Sequence, residues 1–260
     1  MIATRERWRN LNVKIHKELD APEAQNVGAT LIFGFLIFFS GTFLMTLLGI
    51  GLGDESIFSW FEIGFHLLCL AAVVPLMREY LSFSWLTVGV KKQAVVKGCV
   101  LTGAIILLYA LVVQHISLED SLDENNWYKY CTMPVLTNNL YLTNSGIVSL
   151  NPVFGTACAV LIAPLVTCCL YYATAFAKGY NICPWLGYLL LAVVALFPRI
   201  AAGVFGWWNT TQQLIQFVVQ FPIHLCCCVL YAKTDNIWAP VFAQMGVNFV
   251  SCLLIIFTLA

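Results

Sequence analysis

The sequence predicts an all-α protein, a polytopic bundle of about seven transmembrane helices, and three observations lead there. Of 260 residues, 60% are apolar and only 10% charged, with a mean hydropathy of +0.84, well outside soluble composition. The apolar residues come in runs of about 20, the length that crosses hydrocarbon. The basic residues gather between alternate runs, the pattern that marks the loops on one side of a membrane.

Taken in order, Met1–Gln25 is a charged segment whose Trp8, Leu11, Ile15 and Leu19 recur at spacings of three or four. It reads as a cytoplasmic or interfacial helix ahead of the first span. That span is too long, and too far from the start, for a cleavable signal. The spans are Val27–Leu52, Ile57–Leu76, Val95–Val113, Pro152–Ala177, Trp185–Phe205, Gln213–Ala232 and Ile237–Leu259. Residues 1–26 thus form an N-terminal segment, and residues 27–260 a single membrane domain without an internal repeat. Between the second and third spans, SFSWLTVGVKKQAVVKG reads as a short basic connector.

Charge sets the expected orientation. Arg5, Arg7, Arg9, Lys14, Lys17, Arg78, Lys91, Lys92, Lys97, Lys178 and Lys233 all fall on one side if the chain alternates, which is 11 of the 13 basic residues. This predicts a cytoplasmic N-terminus and an outside C-terminus. The loop from Gln114 to Asn151, with Glu119, Asp120, Asp123 and Glu124, then lies outside. A net charge of zero hides this segregation and says little about soluble partners; no nucleic-acid partner is expected. The 11 cysteines sit mostly in or beside spans, without zinc-ligand spacing, and read as reduced packing residues.

Polar residues inside apolar runs are functional candidates by default. Glu62 and His66 are four apart on the second span. On the sixth, Gln212, Gln216, Gln220 and His224 repeat every four residues and form one polar stripe. Arg199 follows Pro198 within the fifth. Gln244 and Asn248 share one face of the last. Two uses fit such residues: hydrogen bonds between helices, or the lining of a cavity that binds a peptide, a protein segment or a lipid.

The last of these lies in K-T-D-N-I-W-A-P-V-F-A-Q-M-G-V-N, which resembles the third motif, T-G-S-L-W-A-P-I-x-x-H-x-x-x-N, of the CAAX-protease and bacteriocin-processing (CPBP) intramembrane protease family, also called Abi. Gln244 stands at the histidine and Asn248 at the asparagine. The family's first motif, E-E-x-x-x-R after A-P, aligns with Ala163-Pro164-Leu165, and puts Thr167 and Cys168 at the glutamates and Tyr172 at the arginine. Its second, F-x-x-x-H, aligns with Phe205 and Asn209. The resemblance covers a core of about 151–255.

The resemblance implies a bundle in which carboxylates and imidazoles gather inside the membrane and activate a water. Such chemistry needs groups that take a proton or bind a cation. Threonine, asparagine and glutamine do neither near neutral pH, and a thiol in apolar surroundings stays protonated. The expectation is therefore a CPBP-like pseudoenzyme with no confident catalytic residue and no cofactor. It would bind a peptide, membrane-protein segment or lipid in the former active site, with bacteriocin self-immunity as one role. Two alternatives stay open. One is an active CAAX-type endopeptidase with unorthodox residues, which alone would call for a divalent metal. The other is a small transporter or channel lined by the glutamine stripe. A bacterial plasma membrane is the expected location.

Overall fold

The structure, a computed structural model, describes residues 55–115, 151–204 and 210–259. The first predicted span, the N-terminal segment, the predicted outside loop and residues 205–209 fall outside the described residues. Within them the chain is helical throughout. We number the helices α1 (Glu55–Leu76), α2 (Arg78–Val90), α3 (Lys92–His115), α4 (Pro152–Ile182), α5 (Pro184–Val204), α6 (Thr210–Thr234) and α7 (Trp238–Leu259). Each of the six predicted spans within reach lies on one of them, so the protein is an all-α membrane bundle. Two helices, α3 and α4, are long and apolar enough to cross a membrane by themselves, and a third crossing results if α1 and α2 count as one broken span.

Apolar surface on both sides of these helices explains why they need lipid. On α3, Val96, Val100, Leu101, Ile105, Leu108 and Val112 are exposed, while Val95, Ile106 and Ala110 are buried. Apart from the adjacent Val100 and Leu101, the first set is spaced by three or four residues, a broad face that would be costly in water and is ordinary against acyl chains. Trp60 and Phe154, both exposed, meet at 5.4 Å near the starts of α1 and α4. Helices α6 and α7 pack against α3, α5 against both α4 and α6, and α1 against the first half of α4.

Small residues and prolines shape the joints. Asn151 precedes Pro152 and Cys183 precedes Pro184, and in each case a proline opens the helix, where its missing N–H costs nothing. At the α4–α5 crossing, a Cβ on Gly179 would sit 2.8 Å from the Gly187 backbone, and one on Gly187 would sit 2.8 Å from the Tyr180 nitrogen. Only glycine permits that approach.

The connector after the second span differs from the expected loop. It is a 13-residue helix, α2, bent 80° from the last part of α1. Pro75 cannot donate to the ladder, which frees a carbonyl and lets the helix turn. The chain still bridges the bend through Met77, whose N–H donates to Val73 O at 3.0 Å and whose carbonyl accepts from Leu81 N–H at 2.8 Å.

α4 departs from α-geometry twice, over Cys158–Ile162 and Cys168–Phe176, where it widens to π-winding. In the first stretch the Ala163 N–H reaches back to Cys158 O. The next carbonyl, Ala159 O, would then look to residue 164, a proline without an N–H. That orphan carbonyl accepts instead from the Asn248 side chain, whose Nδ2 lies 2.6 Å away. The asparagine of the third motif is therefore bonded to the turn of α4 just ahead of the first motif's Ala163-Pro164.

Candidate functional site

The turn between α6 and α7 holds the most specific motif in the sequence, and its first half is a clamp. Asp235 adopts a left-handed conformation, φ 47°, which an aspartate tolerates better than most residues. Asn236, fully buried, then caps α7: its Oδ1 accepts from the Trp238 N–H at 2.9 Å. This is the usual way an asparagine satisfies an orphan N–H of a helix start. Its Nδ2 donates to Ser84 O and to Thr87 Oγ1, both at 2.8 Å, and Trp238 Nε1 donates to Leu81 O at 3.1 Å. Lys91 Nζ donates to Thr234 O at 3.0 Å and pairs with Asp235 at 3.6 Å. The Trp85 ring meets Trp238 edge-on at 5.0 Å. Together these contacts hold α2 against the corner.

The second half of the motif lies deeper, where α7 faces α4 and α6. Gln244 Nε2 donates to Tyr172 Oη at 2.8 Å and approaches Cys227 Sγ at 3.5 Å. Tyr172 Oη in turn lies 2.7 Å from His224 Nδ1. With the Gln244 amide donating, the phenol has its own proton to give to His224 Nδ1, which leaves the imidazole proton on Nε2. The Tyr171 ring stands edge-on to the same imidazole at 5.7 Å. Three helices thus each supply one member of a buried chain: Tyr172 from the π-wound part of α4, His224 from α6 and Gln244 from α7. π-Segments of this kind often coincide with functional sites.

The cluster is closed. Tyr172 and Cys168 are 0% exposed, Thr167, His224 and Gln244 1%, and Gln220 and Asn248 3%. Several of its oxygens nevertheless have no hydrogen-bond partner, namely Thr167 Oγ1, Gln244 Oε1 and Asn248 Oδ1. Each unpaired acceptor in an apolar interior costs on the order of 1–3 kcal/mol, so three on the facing surfaces of α4 and α7 are a feature to be explained.

The sequence-predicted residues divide clearly. Thr167, Cys168 and Tyr172 are buried on α4, Gln244 and Asn248 on α7, and Gln220 and His224 on α6; Tyr172 meets both Gln244 and His224. His66 is buried on α1, the helix that packs on the first half of α4. Glu62, Arg199, Gln212 and Gln216 lie on helices, with side chains outside the described ones, and Phe205 and Asn209 lie outside the described residues. Sequence reasoning missed Cys227, taken as packing, and saw Asn236 only as a letter of the third motif, without its role. Proximity of Gln244 and Cys227 joins two helices, and no periodicity on one helix reveals it.

A divalent hydrolytic metal fits this donor set poorly. Among the described residues no three His, Cys, Asp or Glu side chains gather so that they could hold a metal ion. The cluster offers one imidazole beside a phenol, an amide and a thiol, where such metals take several imidazoles or carboxylates. The ten described cysteines are free thiols.

Comparison with known proteins gives one match. Residues 185–250 match the family described as type II CAAX prenyl endopeptidase Rce1-like. The stretch runs from α5 into α7 and includes His224, Cys227, Gln244 and Asn248, the segment where the second and third motifs were read. The CPBP resemblance is borne out over that stretch, and together with the apolar helices it points to an integral membrane protein. No curated protein and no solved structure matches the chain at a significant level.

Proposed function

We propose that this CAAX protease-like membrane protein holds a peptide, a membrane-protein segment or a lipid at the former active site without cutting it. The observation that carries the reading is the Tyr172–His224–Gln244 chain. Where the family's chemistry calls for carboxylates and imidazoles, the described side chains of this cluster include no carboxylate, and its one histidine is hydrogen-bonded to a phenol. A phenol, an amide and a threonine orient partners by hydrogen bonds but take no proton near neutral pH. The unpartnered oxygens of Thr167, Gln244 and Asn248 are the acceptors that an N–H of a bound chain would use.

The cellular setting follows the same line. Arg78, Lys91, Lys92, Lys97, Lys178 and Lys233 all sit at one end of the bundle, the end of the α2 clamp. This supports a cytoplasmic α6–α7 turn, with the C-terminus outside. A bacterial plasma membrane and a role in bacteriocin self-immunity or membrane-protein regulation are consistent with the resemblance.

The test uses the full chain in mild detergent with a prenylated peptide that carries a photo-activatable group. The peptide is captured intact, and capture falls for Gln244→Leu and Thr167→Val. Cleavage fragments whose formation is lost in His224→Ala or Cys168→Ala would replace this reading with an active endopeptidase.

A further inference from the structure

A second surface of the molecule lies away from the buried cluster. α2 leaves α1 at 80° and is divided lengthwise. Leu81, Ser84 and Thr87 are buried against the α6–α7 corner, through the Asn236 and Trp238 bonds. On the outer side Leu86 is 74% exposed and Val90 45%, beside polar Arg78, Glu79 and Ser82. This helix, held near right angles to a membrane-crossing one, has one side packed on protein. Its outer face runs from polar Arg78, Glu79 and Ser82 to apolar Leu86 and Val90, and so presents an apolar patch at its C-terminal end.

Cations surround its C-terminal end. Lys91 bonds Thr234 O and pairs with Asp235, and this places the α2–α3 corner against the α6–α7 corner. One turn into α3, a Cβ on Gly98 would meet the Leu230 side chain, with Thr234 Cγ2 at 3.7 Å. Lys97 and Lys233, their chain neighbours, therefore flank the same seam, and Lys92 opens α3 beside it. All three are exposed. Among the described residues, this end of the bundle holds six cations (Arg78, Lys91, Lys92, Lys97, Lys178, Lys233) against two anions (Glu79, Asp235). Only Lys91 is compensated by a described ion pair.

We propose that α2 and the seam beside it form a docking surface for an anionic phospholipid. Leu86 and Val90 enter the acyl boundary, and Lys92, Lys97 and Lys233 contact the headgroup phosphate. Charge complementarity selects the lipid. An excess of exposed lysines at the level of the headgroups attracts negative phospholipids, and an adjoining apolar strip makes the attachment a lipid's rather than a free anion's. The surface does not depend on whether the buried cluster cuts or holds a peptide.

The experiment reads lipid retention by native mass spectrometry. The full chain in mild detergent is offered phosphatidylglycerol or phosphatidylcholine, with soluble glycerol phosphate as competitor. Phosphatidylglycerol is retained in preference, and glycerol phosphate does not displace it. Each of Lys92→Gln, Lys97→Gln and Lys233→Gln lowers retention by about fivefold, with melting in zwitterionic detergent unchanged. Lys178→Gln, on α4, has a smaller effect, and Leu86→Gln with Val90→Gln weakens retention of both lipids. Equal retention of the two lipids, unchanged retention in the three lysine variants, or displacement by glycerol phosphate would overturn the proposal.

Discussion

The two halves of the last motif treat their polar groups in opposite ways. At the α6–α7 corner, Asn236 uses its acceptor on Trp238 and its donors on Ser84 and Thr87, and Trp238 uses its indole N–H on Leu81. Eight residues further on, Gln244 spends its amide N–H on Tyr172 and Cys227 and leaves its oxygen without a partner, as Asn248 does. Satisfied polar groups fix one arrangement of helices. Unsatisfied ones lower stability and call for an explanation, of which a bound partner is one. On the proposed reading the corner is architecture and the deep cluster a site, although one short stretch of sequence encodes both.

Substitutions can break or sharpen this contrast. The largest effect is expected for Asn236→Ala, which removes a cap on α7 and both hydrogen bonds that tie the corner to Ser84 O and Thr87 Oγ1 of α2. The loss should be about 3 kcal/mol, visible as a lower melting temperature and as faster proteolysis between α2 and α3. Gly187→Ala comes next. Its Cβ would meet backbone at 2.8 Å, so α4 and α5 must separate at a cost of about 2 kcal/mol, with the deep cluster intact. Tyr172→Phe should cost roughly 1 kcal/mol in a membrane setting, because Gln244 and His224 lose the phenol between them.

Thr167→Val goes the other way. It replaces an unpartnered hydroxyl with a methyl of nearly the same shape, so stability should hold or rise by up to about 1 kcal/mol, while ligand capture falls. A clear loss of stability would show that the hydroxyl is structural, and would erase the contrast with the corner. Smallest of all, Lys91→Gln should lower stability by less than about 1 kcal/mol, since Lys91 and Asp235 are both solvated, 38% and 73% exposed.

Much of the bundle was legible in the sequence because helix existence in a membrane rests on run length and composition. The inward placement of Gln220, His224, Gln244 and Asn248 followed from polar residues on otherwise apolar faces. α2 was not legible: its mixture of serine, tryptophan, valine and glycine has no strong period, and its helix is fixed by Asn236 and Trp238 from far along the chain. Nor were the π-stretches of α4. Pro164 hints at the first, through the carbonyl that it leaves for Asn248, but Cys168–Phe176 contains no glycine or proline to announce the second. The Tyr172–His224 bond joins residues 52 positions apart, and only the crossing of α4 and α6 creates it.

The central proposal is that a membrane protein resembling CAAX proteases over residues 185–250 lacks the proton chemistry of that family. Incubation of the purified chain with a prenylated peptide in heavy-oxygen water tests it directly, because any catalysed hydrolysis leaves the label in the new carboxylate. The account predicts that the peptide is recovered whole and unlabelled, with or without added divalent metal. Labelled product that forms with the wild-type chain and vanishes in His224→Ala would contradict it.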